Sequence, residues 1–289
     1  HLIVRRYPRL FIPVAASTLV GVAMLRLGLF SNHEAAPLLH NGWWLANHFS
    51  DLRNVHEILD FITREVFFEK VHPWGYNINL WTMNVEFLGS FVAFAFCFFV
   101  MPLRRFLPVA LIALFLSYRS NFYLPFLAGV VLARFIHPLL LLPGRSKTLS
   151  CVCVALSLAS LAAVAVYAGL SRNLQIDAPI LPRAEPYATL SACLVIVAVC
   201  INKPLRSRLS GPLSRWLGQA SFPLYLTHLF VSCSLSCRLA LLLPNLDSPL
   251  AAFLLIAVSV AGSLAAAWAF APVERLAVAV SRRISKSVV

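Results

Sequence analysis

The sequence predicts an all-α fold: a polytopic transmembrane helical bundle with about eight spans. Three observations predict it. Of the 289 residues, 60% are hydrophobic and only 12% are charged, with mean hydropathy +0.81. A soluble domain averages roughly 45–50% apolar and about 25% charged residues, so most of this surface has no water to face. Apolar runs of about 20 residues recur, the length of a helix crossing a bilayer, whereas alternating strands of about ten residues do not. Charge, finally, is sorted between the runs rather than scattered along them.

Eight spans follow in order: Leu10–Phe30, Trp81–Val100, Phe106–Tyr118, Phe122–Leu142, Thr148–Leu170, Tyr187–Ile201, Phe222–Leu243 and Pro249–Ala271. The third and sixth are short for a bilayer core of about 30 Å. Let the side bearing Arg5, Arg6 and Arg9 be the inside. The inside ends then carry Arg104, Arg105, Arg134, Arg145, Lys147, Lys203, Arg206, Arg208, Arg215, Arg275, Arg282, Arg283 and Lys286, bringing the inside to sixteen of the 24 basic residues. Glu34, Asp51, Glu57, Asp60, Glu65, Glu69, Asp177, Glu185 and Asp247 fall outside, and Glu274 falls inside. Cytoplasmic loops of membrane proteins hold the excess of Lys and Arg, so one topology satisfies both charge patterns. The net charge of +13 is therefore topological, and nucleic acid is not expected as a partner. The bilayer is, and the basic tail after Glu274 suits an anionic inner leaflet.

The opening His-Leu-Ile-Val-Arg-Arg lacks the basic, apolar, cleavage-site order of a signal peptide, and reads as a piece of a longer protein. No organelle is legible, so plasma membrane and endomembrane stay open for this multi-pass chain. The long outer loop, residues 31–80, contains DLRNVHEILDFITREVFFEK. There Leu52, Val55, Leu59, Ile62 and Val66 recur at spacings of three and four. This predicts an amphipathic helix at about 51–69, capped by Asp51 and lying on the outer interface or over the bundle. Trp43, Trp44 and Trp74 suit the headgroup zone.

The seven cysteines all lie in or beside apolar runs and read as small apolar fillers, not as disulfides or zinc ligands. His33, His40, His48 and His56 recur at spacings of seven or eight, with His72 further on. They form no recognisable metal motif, and no His-Glu-x-x-His is present, so no metal site is assigned.

Polar residues where burial is costly mark the candidate sites. Arg6 and Arg9 stand one helical turn apart, where they serve topology or grip an anion's phosphates. Glu86 enters an apolar span, where a lone carboxylate costs about 2.5–3.5 kcal/mol, so it should face the interior, find a donor, take part in chemistry, or, near the outer end, reach interfacial water. Ser221, Tyr225, His228 and Ser232 step by four, three and four along the run ASFPLYLTHLF. They form one polar stripe, either interhelical hydrogen-bond glue or the lining of a polar pathway. Pro223 is tolerable because it falls in the first turn of the span that starts at Phe222. No Gly-x-Ser-x-Gly is present.

Three stretches, RRYPRLFIP, LWTMNVEF and WLGQASFPLYLTHLF, occur in this order between spans, with PVERL after the last. Together they resemble the acyltransferase 3 family of multi-spanning membrane O-acyltransferases, over essentially the whole chain. YNINLWTMNVEFLGS is most similar to the fungal members. The resemblance implies a single membrane domain over 1–289 and a bundle of about ten helices, with the first two of the family fold missing from this chain. It implies transfer of an acyl group, acetyl first, from acyl-CoA to a hydroxyl of a carbohydrate, lipid or small natural product. Acyl-CoA is then a co-substrate, with no permanently bound cofactor. Arg6 and Arg9 match the family's Arg-x-x-Arg and would contact CoA phosphates. Trp81 and Glu86 match its Trp and Glu, and Tyr225 and His228 its late Tyr-Leu-x-His. The histidine usually held to be the catalytic base belongs to the first family helix, and His228 does not replace it. Glu86, Tyr225 and His228 are thus expected in supporting catalytic roles, with Trp81 and Ser221 along the substrate pathway. A transporter and an inactive truncated homologue are the alternatives.

Overall fold

The structure, a computed structural model, describes residues 2–39, 42–50, 54–69, 76–100, 102, 106–118, 122–140, 146–174, 185–243, 245–246 and 248–287. Among these residues every regular element is helical. The principal helices are α1 (Leu2–Arg26), α2 (Val55–Asp60), α3 (Trp81–Phe99), α4 (Phe106–Tyr118), α5 (Leu124–Leu140), α6 (Ser146–Leu174), α7 (Glu185–Ile201), α8 (Lys203–Leu209), α9 (Pro212–Val231) and α10 (Pro249–Ser287). A π turn over Phe61–Glu65 prolongs α2 to Phe68, and another over Ser232–Ser236 prolongs α9 to Leu242.

A helix stands at each of the eight predicted spans. Four stretches among the described residues are long and apolar enough to cross a membrane: Val4–Arg26, Ile78–Phe99, Pro212–Leu242 and Pro249–Ser287. Tyr187–Ile201 and Lys203–Leu209, bent by 101° across Asn202, make a fifth if taken as one broken span. Phe106–Phe115, Leu124–Ile136 and Thr148–Ala162 are shorter apolar helices. The chain is an all-α membrane protein. On α10, Leu250, Phe253, Ile256, Val260 and Trp268 are exposed, as side chains solvated by lipid should be.

The chain forms two units, residues 1–88 with 215–289, and residues 89–214. In the first, α1 packs along α10, and its buried side presents Leu10, Val14, Ser17 and Thr18. Small residues let backbones approach closely in membranes. Gly21 shows it: a Cβ there would lie 2.5 Å from the Tyr76 carbonyl oxygen and 3.2 Å from the Phe230 ring. At the far end of α1, Phe30 stacks on Phe49 with centroids 4.0 Å apart, and both approach Phe230. Phe49 has φ +54°, and its burial in this cluster holds a conformation that L-residues disfavour. The π turn in α9 disturbs the regular carbonyl pairing, and there the Ser31 amide donates to the Cys233 carbonyl at 2.9 Å.

The segment between α1 and α3 departs from expectation. It does not overhang the outer end of the bundle. The stretch 54–69 runs beside α1 as far as Tyr7, whose hydroxyl donates to the Thr63 carbonyl at 3.1 Å, and whose ring meets Phe67 at 5.1 Å. Its acids thus lie alongside the arginine-bearing half of α1, so this segment does not keep the in-out charge split. Val55 and Leu59, expected on the apolar face, are exposed, while Ile58, Phe61, Ile62, Val66 and Phe67 are buried. The π turn adds a residue to the repeat and rotates the face that the even spacing suggested. Asn54 caps this helix in a reciprocal box with Glu57, the Ser/Thr/Asx-x-x-Glu pattern one turn after the expected cap. Asp51, Leu52, Trp74, His40 and His72 lie outside the described residues, and so does the Trp43 side chain.

Pro223 also departs from expectation. The helix begins at Pro212, just after Gly211, so Pro223 is buried in its interior. Apolar content marks where a helix enters lipid, not where it starts. All seven cysteines are unpaired, with Cys153, Cys233 and Cys237 buried.

In the second unit α6 and α7 run antiparallel. The Ser157 and Ser191 hydroxyls meet at 2.8 Å, and each also reaches the other's backbone carbonyl. Such mutual bonds join helices where lipid offers no competing partner.

Candidate functional site

Glu86 finds its donor. The second turn of α1 presents Arg6 to α3, where its Nη2 donates to the Glu86 carboxylate at 2.7 Å and to the Glu86 carbonyl at 3.3 Å. The Arg6 side chain is 23% exposed and that of Glu86 46%, so the pair is half-buried and electrostatically stronger than a surface pair. Arg9, one turn further along α1, is exposed, and its charge acts on Glu274 of α10. The two arginines therefore have different surroundings. Arg6 is fixed in place by Glu86, while Arg9 stands open to an incoming anion.

The predicted stripe on α9 is present, and only part of it joins helices. Tyr225 reaches across to the start of α3, where its hydroxyl meets Thr82 Oγ1 at 2.6 Å and donates to the Asn79 carbonyl. Ser221, His228 and Ser232 bond back to their own helix, at the carbonyls of Gly218, Leu224 and His228. A carbonyl can only accept, so the ring nitrogen 3.0 Å from the Leu224 oxygen, Nδ1, is the donor, and in the neutral ring this leaves Nε2 as the acceptor.

A groove of about 490 Å³ runs between α9 and α10. Ser221, Tyr225, His228 and Ser232 line it from one side, Ser259 and Ser263 from the other, with Leu224, Val260 and Leu264 between. Ser236 and Ser259 bond across the same helix pair at 2.7 Å. An apolar wall carrying spaced hydroxyls and one imidazole acceptor suits a ligand with hydroxyl groups. Trp81 lies at the first turn of α3 and is 43% exposed; it is not among the residues lining the groove.

Sequence reasoning missed Asn77 and Asn79. Asn77 is 1% exposed and donates to Ser17 Oγ at 2.7 Å and to the Leu226 carbonyl at 2.8 Å. Asn79 donates to the Tyr225 carbonyl at 2.7 Å. Together they bind the residues before α3 to α1 and α9, and so place both Glu86 and Tyr225. The signal was available: two amides two residues apart before an apolar span must find partners there. Ser259, Ser263 and Glu274 were missed as site residues, because only the packing of α10 brings them in.

Outside the membrane-crossing helices, Arg64 donates to Asp60 at 2.8 and 2.7 Å and also pairs with Glu69. These bonds hold the Asp60 carboxyl below the usual carboxylate range and raise Arg64 further. Among the described residues no cluster of His, Cys, Asp or Glu is arranged to hold a metal ion.

A family model described as an acyltransferase domain, acyltransferase 3, matches residues 1–268. The chain belongs to the acyltransferase 3 family. It is an integral membrane acyltransferase. No match was found among curated proteins or among solved structures.

Proposed function

We propose that this acyltransferase moves an acyl group, acetyl first, from acyl-CoA to a hydroxyl of a carbohydrate, lipid or small natural product. Arg9, open and cationic, and Arg6, held by Glu86, take the CoA phosphates by charge-assisted hydrogen bonds. The acceptor lies in the α9–α10 groove, its hydroxyls on Ser221, Ser232, Ser259 and Ser263. His228 Nε2 accepts from the reacting hydroxyl and orients it. Glu86 and Tyr225 are positioning residues, the first for Arg6 and the second for the start of α3.

One observation carries this reading. Arg9 stands near enough for its charge to act on Glu274 of the packed helix α10, and the groove reaches Leu264 on that helix. Ten residues of α10 separate the two, about 15 Å at 1.5 Å per residue. An extended pantetheine arm bridges such a distance, so phosphates at Arg9 would present a thioester at the groove. The acceptor oxygen then attacks the thioester carbonyl, the C–S bond breaks, and CoA thiol leaves as the ester forms. The test is transfer of label from acetyl-labelled acetyl-CoA in membranes carrying the protein. Label is expected in an alkali-labile ester of a hydroxyl compound. Its absence from every acceptor, together with no CoA binding, would sink the proposal.

A further inference from the structure

The second unit contains a different groove, of about 460 Å³, at the corner where α8 turns away from α7. It has two unlike ends. At one end stand Arg208, Asn202, Pro204 and Leu205 with Ser150 of α6. There Asn202 donates to Ser150 Oγ at 3.1 Å, and Ser150 donates to the Ala198 carbonyl at 3.1 Å, so the polar groups at the corner are ordered. From that end Cys151, Val154, Ala155 and Leu158 form one apolar face of α6. Ser150 to Leu158 covers about 12 Å along the helix at 1.5 Å per residue.

α8 carries Lys203, Arg206 and Arg208 within seven residues and has no acid. It has no buried residue and stands 101° from α7, so it lies across the direction of the span it follows. A short cationic helix in that attitude sits at a membrane surface. Its cations are not equivalent. Arg206 turns back to the Cys200 carbonyl at 3.4 Å and covers the end of α7, whereas Arg208 lines the groove.

We propose that this groove binds an anionic phospholipid, with the headgroup phosphate at Arg208 and an acyl chain along Val154, Ala155 and Leu158. Charge complementarity selects the head, and the apolar face of α6 receives the chain. A basic residue at such a surface shifts affinity for an anionic lipid about fivefold. The proposal is independent of acyl transfer.

The experiment follows thermal unfolding of the full protein in uncharged detergent, titrated with dioleoylphosphatidylserine, dioleoylphosphatidylcholine or inorganic phosphate. Phosphatidylserine is expected to raise the midpoint saturably, while the other two do not. Arg208→Gln should weaken the apparent affinity for phosphatidylserine about fivefold, and Arg206→Gln should leave it nearly unchanged. Leu158→Ala, which shortens the apolar wall without removing a charge, should weaken it as well. An equal rise with phosphatidylcholine would mean an unselective apolar groove. A rise with phosphate alone would mean a soluble-anion site. Either result, or an Arg208→Gln protein indistinguishable from the parent, overturns the proposal.

Discussion

Arg6 donates to the Glu86 carboxylate at 2.7 Å, joining the second turn of α1 to α3 across a sequence separation of 80 residues. The pair holds one of the two arginines a turn apart on α1 in a fixed position, and it satisfies a carboxylate placed on an apolar span. Glu86→Gln keeps the shape and removes the charge. It should raise KM for acyl-CoA several-fold with a smaller change in kcat, because Arg6 is then less well held for the ground state and transition state alike. A thermal double-mutant cycle with Arg6→Ala and Glu86→Ala should return a coupling of about 1 kcal/mol, between the values for exposed and buried pairs. Additive single effects would dissolve the relationship.

Asn77 ties together α1, α9 and the entry to α3. Asn77→Ala leaves the Leu226 carbonyl and the Ser17 hydroxyl short of a donor in a dry interior. The expected cost is about 2 kcal/mol, read as a lower unfolding midpoint in detergent. Asn77→Asp should cost at least as much, since it removes the same donor and adds a charge. A midpoint equal to the parent's would mean that this junction does not hold the bundle.

Gly21 allows the Tyr76 carbonyl to approach α1. Gly21→Ala would place a Cβ 2.5 Å from that oxygen, a backbone atom with little room to retreat. Overpacking of this kind costs about 1–3 kcal/mol, although alanine is the better helix former. Stabilisation by the substitution, measured by thermal unfolding, would show that the helices separate easily there.

His48 sets a pH dependence. It is 1% exposed, and burial, with His33 nearby, holds its imidazole below the ordinary histidine value. The unfolded chain then takes up the proton at higher pH than the folded one does. The stability from neutral His48 is complete above the unfolded value of about 6.5 and is lost as pH falls through the folded value. Unfolding midpoints should therefore drop as pH falls below about 6.5, and His48→Asn should flatten the slope. A slope unchanged by the substitution would assign the effect to other groups.

These relationships explain what the sequence could and could not disclose. Hydrophobic runs are local, and each became a helix near its predicted place. Helix starts were less legible, because Ser214–Gln219 is polar enough to lie outside lipid and still helical, which moved Pro223 from a first turn to an interior. The fold-back of the segment before α3 depends on Asn77, Asn79 and Tyr76 meeting α1 and α9, contacts of high sequence separation that no periodicity encodes. Glu86 was recognisable as a group in need of a partner, whereas Arg6 as that partner required the packed helices. The groove was half legible: the α9 stripe has helical spacing, but Ser259 and Ser263 are two among several serines on α10 until the helices are paired.

The central claim is that Arg6 and Arg9 hold the CoA phosphates. Equilibrium binding of CoA to the detergent-solubilised protein tests it directly, with the Arg6→Ala/Arg9→Ala double variant alongside. Loss of two charge-assisted phosphate contacts should weaken binding at least tenfold, with thermal unfolding confirming that the variant remains folded. A folded double variant that binds CoA as tightly as the parent would contradict the assignment.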